Sequence, residues 1–233
     1  MSKGIVLSLY DFTGEACRPW AEAGYTCYAF DIQHPVKGRT EGNIRFCRAD
    51  LHLNSTLVAI ERDFLGGDVV FGMAFPVCTD MAVSGAAWFK KKALADPNFQ
   101  KKAVRHAMMC AGLFEKLRIP YFIENPVSVL ATKWRKPDYS FHPYEYGGYI
   151  ADDAVEHPRW PEYIAPRDAY KKKTCLWTGG GFVMPDKVAV DPEGYHGNGY
   201  STAMMKLGGK SQRTKDIRSA TPRGFAIAVH QSN

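Results

Sequence analysis

Short apolar runs recur through the first half of the chain, each closing on a polar or turn-forming residue. Ile5-Val6-Leu7-Ser8-Leu9-Tyr10 reads as a strand and Asp11 through Gly14 as a turn. Ala16 to Ala23 reads as a helix ended by Gly24, and Tyr25 to Phe30 as a second strand closing on Asp31. Ile44-Arg45-Phe46-Cys47 is a third strand, with Asp50 after it. A helix over Ser55–Phe64 leads through Gly66-Gly67 to a strand over Asp68–Ala74, and a long helix over Asn98–Leu117 feeds a strand at Tyr121–Ile123. This rhythm predicts an α/β fold with a doubly wound, mostly parallel sheet. From about Pro137 the pattern changes to aromatics, prolines and glycines with little helical period, and Thr178–Gly209 is rich in loop residues. A last apolar run, Phe225-Ala226-Ile227-Ala228-Val229, is expected to pack back onto the sheet. The expected divisions are a main domain over 1–177, a short loop-rich insert over 178–220 and a terminal segment over 221–233.

Chemistry-bearing residues stand at the ends of two strands. Val69-Val70-Phe71-Gly72-Met73-Ala74-Phe75-Pro76-Val77-Cys78-Thr79-Asp80 is an apolar run broken by a proline two residues before a thiol. The other five cysteines (Cys17, Cys27, Cys47, Cys110, Cys175) have neither CxxC nor metal spacing and read as small buried hydrophobes. Cys78 differs because proline, threonine and aspartate surround it at a strand end, where α/β proteins bind ligands. Tyr121-Phe122-Ile123-Glu124-Asn125-Pro126 repeats the design with a carboxylate, which is costly to place after three apolar residues without a partner. Seven histidines are scattered without metal spacing, so no metal site is assigned.

Acidic residues follow three successive strands. Asp31 is placed to accept both hydroxyls of a ribose, and Asp50 to accept an adenine amino group. The first loop, Asp11-Phe12-Thr13-Gly14, is neither GxGxxG nor a Walker loop, so a pyrophosphate is poorly served. A nucleoside-like cofactor without phosphates fits better, and S-adenosylmethionine is the obvious one. Carboxylates after strands also serve as helix caps, which is the structural alternative.

The formal charge of +6 is modest but clustered. Lys90-Lys91-Lys92, Lys101-Lys102 with Arg105, Lys133-Trp134-Arg135-Lys136, Lys171-Lys172-Lys173 and the Lys206–Arg218 stretch are separate basic groups. Several adjoin aromatics (Trp88, Phe89, Trp134, Trp177), as expected where phosphates and bases are both contacted. Solvated helix faces are the plain alternative. With no signal-like segment, no span-length apolar run and no disulfide pattern, the cytoplasm is the expected compartment.

Taken in order, these motifs resemble the DNA cytosine-C5 methyltransferase family, in a compact form similar to phage-encoded members. Asp11-Phe12-Thr13-Gly14 resembles the first cofactor motif, and Asp31 and Asp50 match the ribose and adenine acids. Phe75-Pro76-Val77-Cys78 resembles the Pro-Cys nucleophile motif, and Glu124-Asn125-Pro126 the Glu-Asn-Val/Pro motif. The resemblance covers roughly Ile5 to Pro126. It implies a methyltransferase-type fold binding S-adenosylmethionine through Asp11, Phe12, Thr13, Gly14, Asp31, Ile32, Asp50, Leu51 and Phe75. It further implies Cys78 as the nucleophile that adds to C6 of cytosine and Glu124 as the acid at N3. Pro76, Val77, Thr79, Asn125, Lys173 and Thr174 would contact substrate.

Departures from the family pattern are equally specific. Val77 stands where the family has proline directly before the cysteine, and Ala16 or Cys17 replaces a glycine of the first motif. Lys171 to Trp177 lies where the Gln-x-Arg-x-Arg strand is expected, and Ser219 to Gly224 only faintly resembles the last motif. The stretch between Trp177 and Thr221 is short for a target-recognition domain. The expected substrate is DNA, single-stranded or duplex, with a single strand modified at least as well as a duplex. The alternatives are a free pyrimidine nucleotide such as dCMP, its phosphate held by Lys173 or Arg223, and a non-catalytic nucleic-acid-binding protein.

Overall fold

The computed structural model describes residues 2–192, 207 and 211–233. The remaining part of the expected 178–220 insert, including Lys206, lies outside the described residues. The chain forms two compact units, one of residues 1–140 and 174–182 and the other of 141–173 and 183–233. This division differs from the expected one, because the 141–173 stretch groups with the C-terminal residues and only a short strand returns to the first unit.

The first unit is built on a mixed, mostly parallel sheet. Its strands are β1 (Ile5–Leu9), β2 (Thr26–Asp31), β3 (Arg39–Glu41), β4 (Ile44–Arg48), β5 (Val69–Ala74), β6 (Tyr121–Pro126), β7 (Tyr139–Phe141) and β8 (Thr174–Gly179). The order across the sheet is β3-β4-β2-β1-β5-β6-β8-β7. Strands β4, β2, β1, β5 and β6 run parallel, while β3 on β4 and β8 on β6 run antiparallel. Because the chain moves outward one way from β1 through β2 and the other way through β5, the order reverses at β1. In a doubly wound sheet the crevice beyond the carboxyl ends at such a reversal is where ligands bind.

Helices α1 (Arg18–Glu22), α2 (Asn54–Phe64), α3 (Phe89–Ala95), α4 (Phe99–Leu117) and α5 (Leu130–Lys133) complete this unit. Ala103, Ala107, Cys110, Ala111 and Phe114 recur at helical spacing on α4 and are buried. A Cβ on Gly72 of β5 would stand 2.5 Å from the Phe114 ring, so the absent side chain lets α4 lie close on the sheet. Arg118, at φ 58°, ends α4 in the left-handed conformation.

The second unit has its own core. Helix Arg223–Ser232 buries Phe225, Ala226, Ala228 and Val229, and Phe225 stacks on Phe141 at 4.0 Å and meets Tyr146 edge-on at 5.2 Å. Helix Gln212–Ser219 buries Thr214 and Ile217, and Ile217 clusters with Ile164, Tyr170, Leu207 and Ala220. The terminal apolar run is a helix, and its Phe225 packs on Phe141 at the end of β7. No helix among the described residues is long and apolar enough to cross a membrane.

Candidate functional site

The parallel direction of five strands puts their carboxyl ends on one edge, and the expected site residues of the first unit gather there. Asp11 follows β1, Asp31 ends β2, Asp50 follows β4, Cys78 follows β5, and Glu124 lies within β6. Strand β6 runs on through Glu124-Asn125-Pro126, further than its apolar run indicates, because β8 pairs with it as far as Pro126↔Thr174. The reversed direction of β8 thereby brings Thr174, which is buried, to the same edge.

Asp11 is the hub of the first loop. One carboxylate oxygen accepts the Ser8 hydroxyl (2.8 Å) and the Cys17 thiol (3.8 Å), and the other accepts the Gly14 N–H (2.7 Å) and the Thr13 hydroxyl (3.3 Å). Its backbone N–H donates to the Phe30 carbonyl, tying the loop to β2. With both oxygens engaged internally and the side chain buried, Asp11 shapes the loop rather than offering its carboxylate to a ligand. Gly14 sits at φ +72° with Phe46 ring atoms 2.7 Å from where a Cβ would be, so the turn requires glycine on both counts. Leu51 likewise acts from inside. Its side chain lies in the core, and its carbonyl accepts the Tyr10 hydroxyl.

Asp31, Asp50 and Ile32 are placed differently. Asp31 takes the Gln33 N–H on one oxygen (2.8 Å), and burial pushes its carboxyl above the usual range against that bond's opposing effect. Asp50 is partly exposed and holds His52 through its ring Nδ1 (3.2 Å) and its N–H (3.1 Å). Ile32 is exposed, and Phe12 stacks on His34 at 5.8 Å.

His34 escaped the sequence reading because no spacing singles it out. It is buried, and its ring meets the Asp11 carbonyl through Nε2 at 3.1 Å, so Nε2 carries the proton. Burial lowers its pKa, and in the neutral form its Nδ1 is a buried acceptor with no hydrogen-bond partner. Asn125 leaves Oδ1 in the same condition. Each of these buried acceptors could take a hydrogen bond from a water or from a ligand donor.

The Cys78 loop is held by its neighbours. Asn125 Nδ2 donates to the Pro76 carbonyl (2.9 Å), fastening the loop to β6. The Cys78 carbonyl accepts the N–H groups of Met81 (2.9 Å) and Ala82 (2.8 Å) in a tight turn. Val83 N–H donates to Val127, Val129 N–H to Met81, and Lys92 Nζ bonds the Thr79 carbonyl (2.9 Å) and the Asp80 carboxylate (2.6 Å). Cys78 is partly exposed, whereas Cys17, Cys27, Cys110 and Cys175 are buried. Val77 and Thr79 are exposed, Pro76 is buried, and Phe75 packs edge-on against Phe122 at 5.8 Å.

Two expected residues fall in the second unit. Lys173 is exposed there, on the other side of the division from Thr174. Arg223 donates to the carbonyls of Ala154 (2.9 Å) and Val155 (2.8 Å), so its guanidinium braces the fold.

Asp31 yields a prediction on stability. A carboxyl whose folded pKa exceeds its unfolded value binds its proton more tightly in the native state, so stability falls as pH rises from the ordinary carboxylate range through the raised value. Asp31→Asn has no charge to bury and is expected to melt higher than the wild type at neutral pH. The difference should vanish in acid, and thermal melts of both proteins from acid to neutral pH check it.

The chain matches no protein-family model and no curated protein.

Proposed function

We propose that the protein is an S-adenosylmethionine-dependent methyltransferase acting at C5 of cytosine in DNA. The observation that carries this reading is the meeting of the Cys78 loop and Glu124 at the carboxyl ends of adjacent parallel strands, with Asn125 bonded to Pro76 between them. Beside that pair lies the reversal point of the sheet, the position expected of a nucleoside-binding crevice.

The residues at the edge fit the cofactor. Asp31 would take the ribose hydroxyls, Asp50 the adenine amino group, and the unpaired His34 Nδ1 is a further acceptor. Asp11 and Gly14 keep the first loop tight, and no phosphate cradle is needed. When bound, S-adenosylmethionine supplies an electrophilic methyl group. The chain's own residues prepare the acceptor. The Cys78 thiolate forms a bond to C6, and Glu124 holds a proton at N3 as electron density moves through the ring, leaving C5 nucleophilic. After transfer, a solvent water would take the C5 proton as the C6–S bond breaks, its electron pair returning to the Cys78 sulfur and the ring regaining its aromaticity.

One feature favours a strand over a free nucleotide: Arg223, a candidate for holding a lone phosphate, is committed to carbonyls. The test is incubation with methyl-labelled cofactor and a duplex, a single strand or dCMP. Label at C5 of cytosine in either polymer is expected, and label on dCMP alone would overturn the choice of substrate.

Asn125 provides an internal check. Asn125→Ala removes the bond to Pro76 and lets the nucleophile loop drift, so turnover should fall roughly 10- to 100-fold, the penalty of a misplacement near 1 Å. Cofactor affinity by calorimetry should not change. Wild-type turnover would show that the tether does not position Cys78.

A further inference from the structure

In sequence, Trp88, Phe89, Trp134 and Trp177 all adjoin basic clusters, and the structure separates them. Trp177 is fully buried, and Trp134 stacks on it at 6.3 Å. Phe89 packs edge-on against Phe99 at 5.7 Å. Trp88 keeps 54% of its surface exposed. The basic residues divide in the same way. Lys102 pairs with Asp96, Arg135 with Asp138, and Lys92 with Asp80. Lys90 and Lys91, two and three residues beyond Trp88, are exposed.

Trp88 ends the 3-10 turn Val83–Trp88, which is tied at its start to the residues after β6 and continues into α3, whose Lys92 holds the residues after Cys78. Val83 is bonded to Val127, and Lys92 to Thr79 and Asp80. A large exposed indole is thus joined by a short, tied segment to the residues that follow Cys78. An aromatic face for a base beside cations for phosphates is how single strands are bound without sequence preference.

We propose that Trp88 stacks on a base neighbouring the reacting one, while Lys90 and Lys91 contact the strand's phosphates. The proposal rests on the reading of Cys78 as the nucleophile for its location, and it makes the substrate a polynucleotide.

The experiment measures binding of a labelled single strand of about 12 nucleotides by fluorescence anisotropy across salt concentrations. Trp88→Ala should weaken binding roughly 5- to 150-fold, the range expected for losing one stacked base. Trp88→Phe should keep most of the affinity, since a phenyl ring still stacks. Lys90→Ala with Lys91→Ala should reduce the slope of log affinity against log salt by about 1.4. Calorimetric binding of S-adenosylmethionine should be the same in all variants, which separates a lost contact from a lost fold. A wild-type protein that ignores the strand, or a Trp88→Ala protein that binds it equally well, overturns the proposal. Trapping with a 5-fluorocytosine strand separates the two readings. A Cys78 adduct forming at undiminished affinity in Trp88→Ala keeps the chemistry and removes the stacking. Weakened binding with no adduct in the wild type does the reverse.

Discussion

Cys78→Ser is expected to lose turnover by at least about 10³-fold while folding normally and binding cofactor as the wild type does. Serine is nearly the same size, and the site is partly exposed, so packing changes little. The hydroxyl is far less acidic than a thiol and is a poor nucleophile toward C6 without a base to activate it. A strand carrying 5-fluorocytosine sharpens the test. Fluorine at C5 cannot leave as a cation, so elimination is blocked and the adduct persists. Mass spectrometry should find protein joined to DNA for the wild type and none for Cys78→Ser. Full activity in the serine protein would move the nucleophile elsewhere.

Asp11→Ala should produce the largest loss of stability. The substitution strips acceptors from the Ser8 and Thr13 hydroxyls and the Gly14 N–H, all in buried surroundings. Buried donors left unpaired, together with the lost charge-assisted bonds, are expected to cost about 3 kcal/mol. For a chain of this size that corresponds to a fall of roughly 6–12 °C in Tm. Asp11→Asn keeps an acceptor for Gly14 and should lose less. Thermal and denaturant unfolding of both variants decide the matter. An alanine variant as stable as the wild type but blind to cofactor would mean that Asp11 touches the ligand directly.

The contrast between Asp11 and Asp31 shows how far sequence reasoning reached. Both were legible as carboxylates at strand ends, and the strands β1, β2, β4, β5 and β6 stand close to their expected places. Which donors satisfy each carboxylate depends on side chains brought in from elsewhere. Asp11 turned out to be consumed by its own loop, and Asp31 only in part. His34 carries no sequence pattern, since its burial and its nitrogen without a hydrogen-bond partner are visible only in the structure. The Phe225–Val229 run is short and apolar, a pattern that a buried strand and a buried helix share. The pairing partner decides between them, and in the structure it is a helix on the 143–149 turn. Strand β3 has three polar residues and helix α3 only seven residues, too few in either for a periodicity to stand out. The second unit was hidden because its core joins residues far apart in sequence, Phe141 with Phe225 and Ile164 with Ile217.

Strand β8 has a consequence for how the molecule is made. The chain leaves the sheet after β7, builds 141–173 into the other unit, and only then returns with Thr174–Gly179 to pair along β6. On the ribosome, the Tyr121–Pro126 edge must therefore wait for more than forty further residues before its partner emerges. A waiting edge with open N–H and C=O groups is a template for pairing with other chains. The strand that covers this edge is thus a late arrival, and until it appears the nascent chain carries an open edge that other chains can pair with.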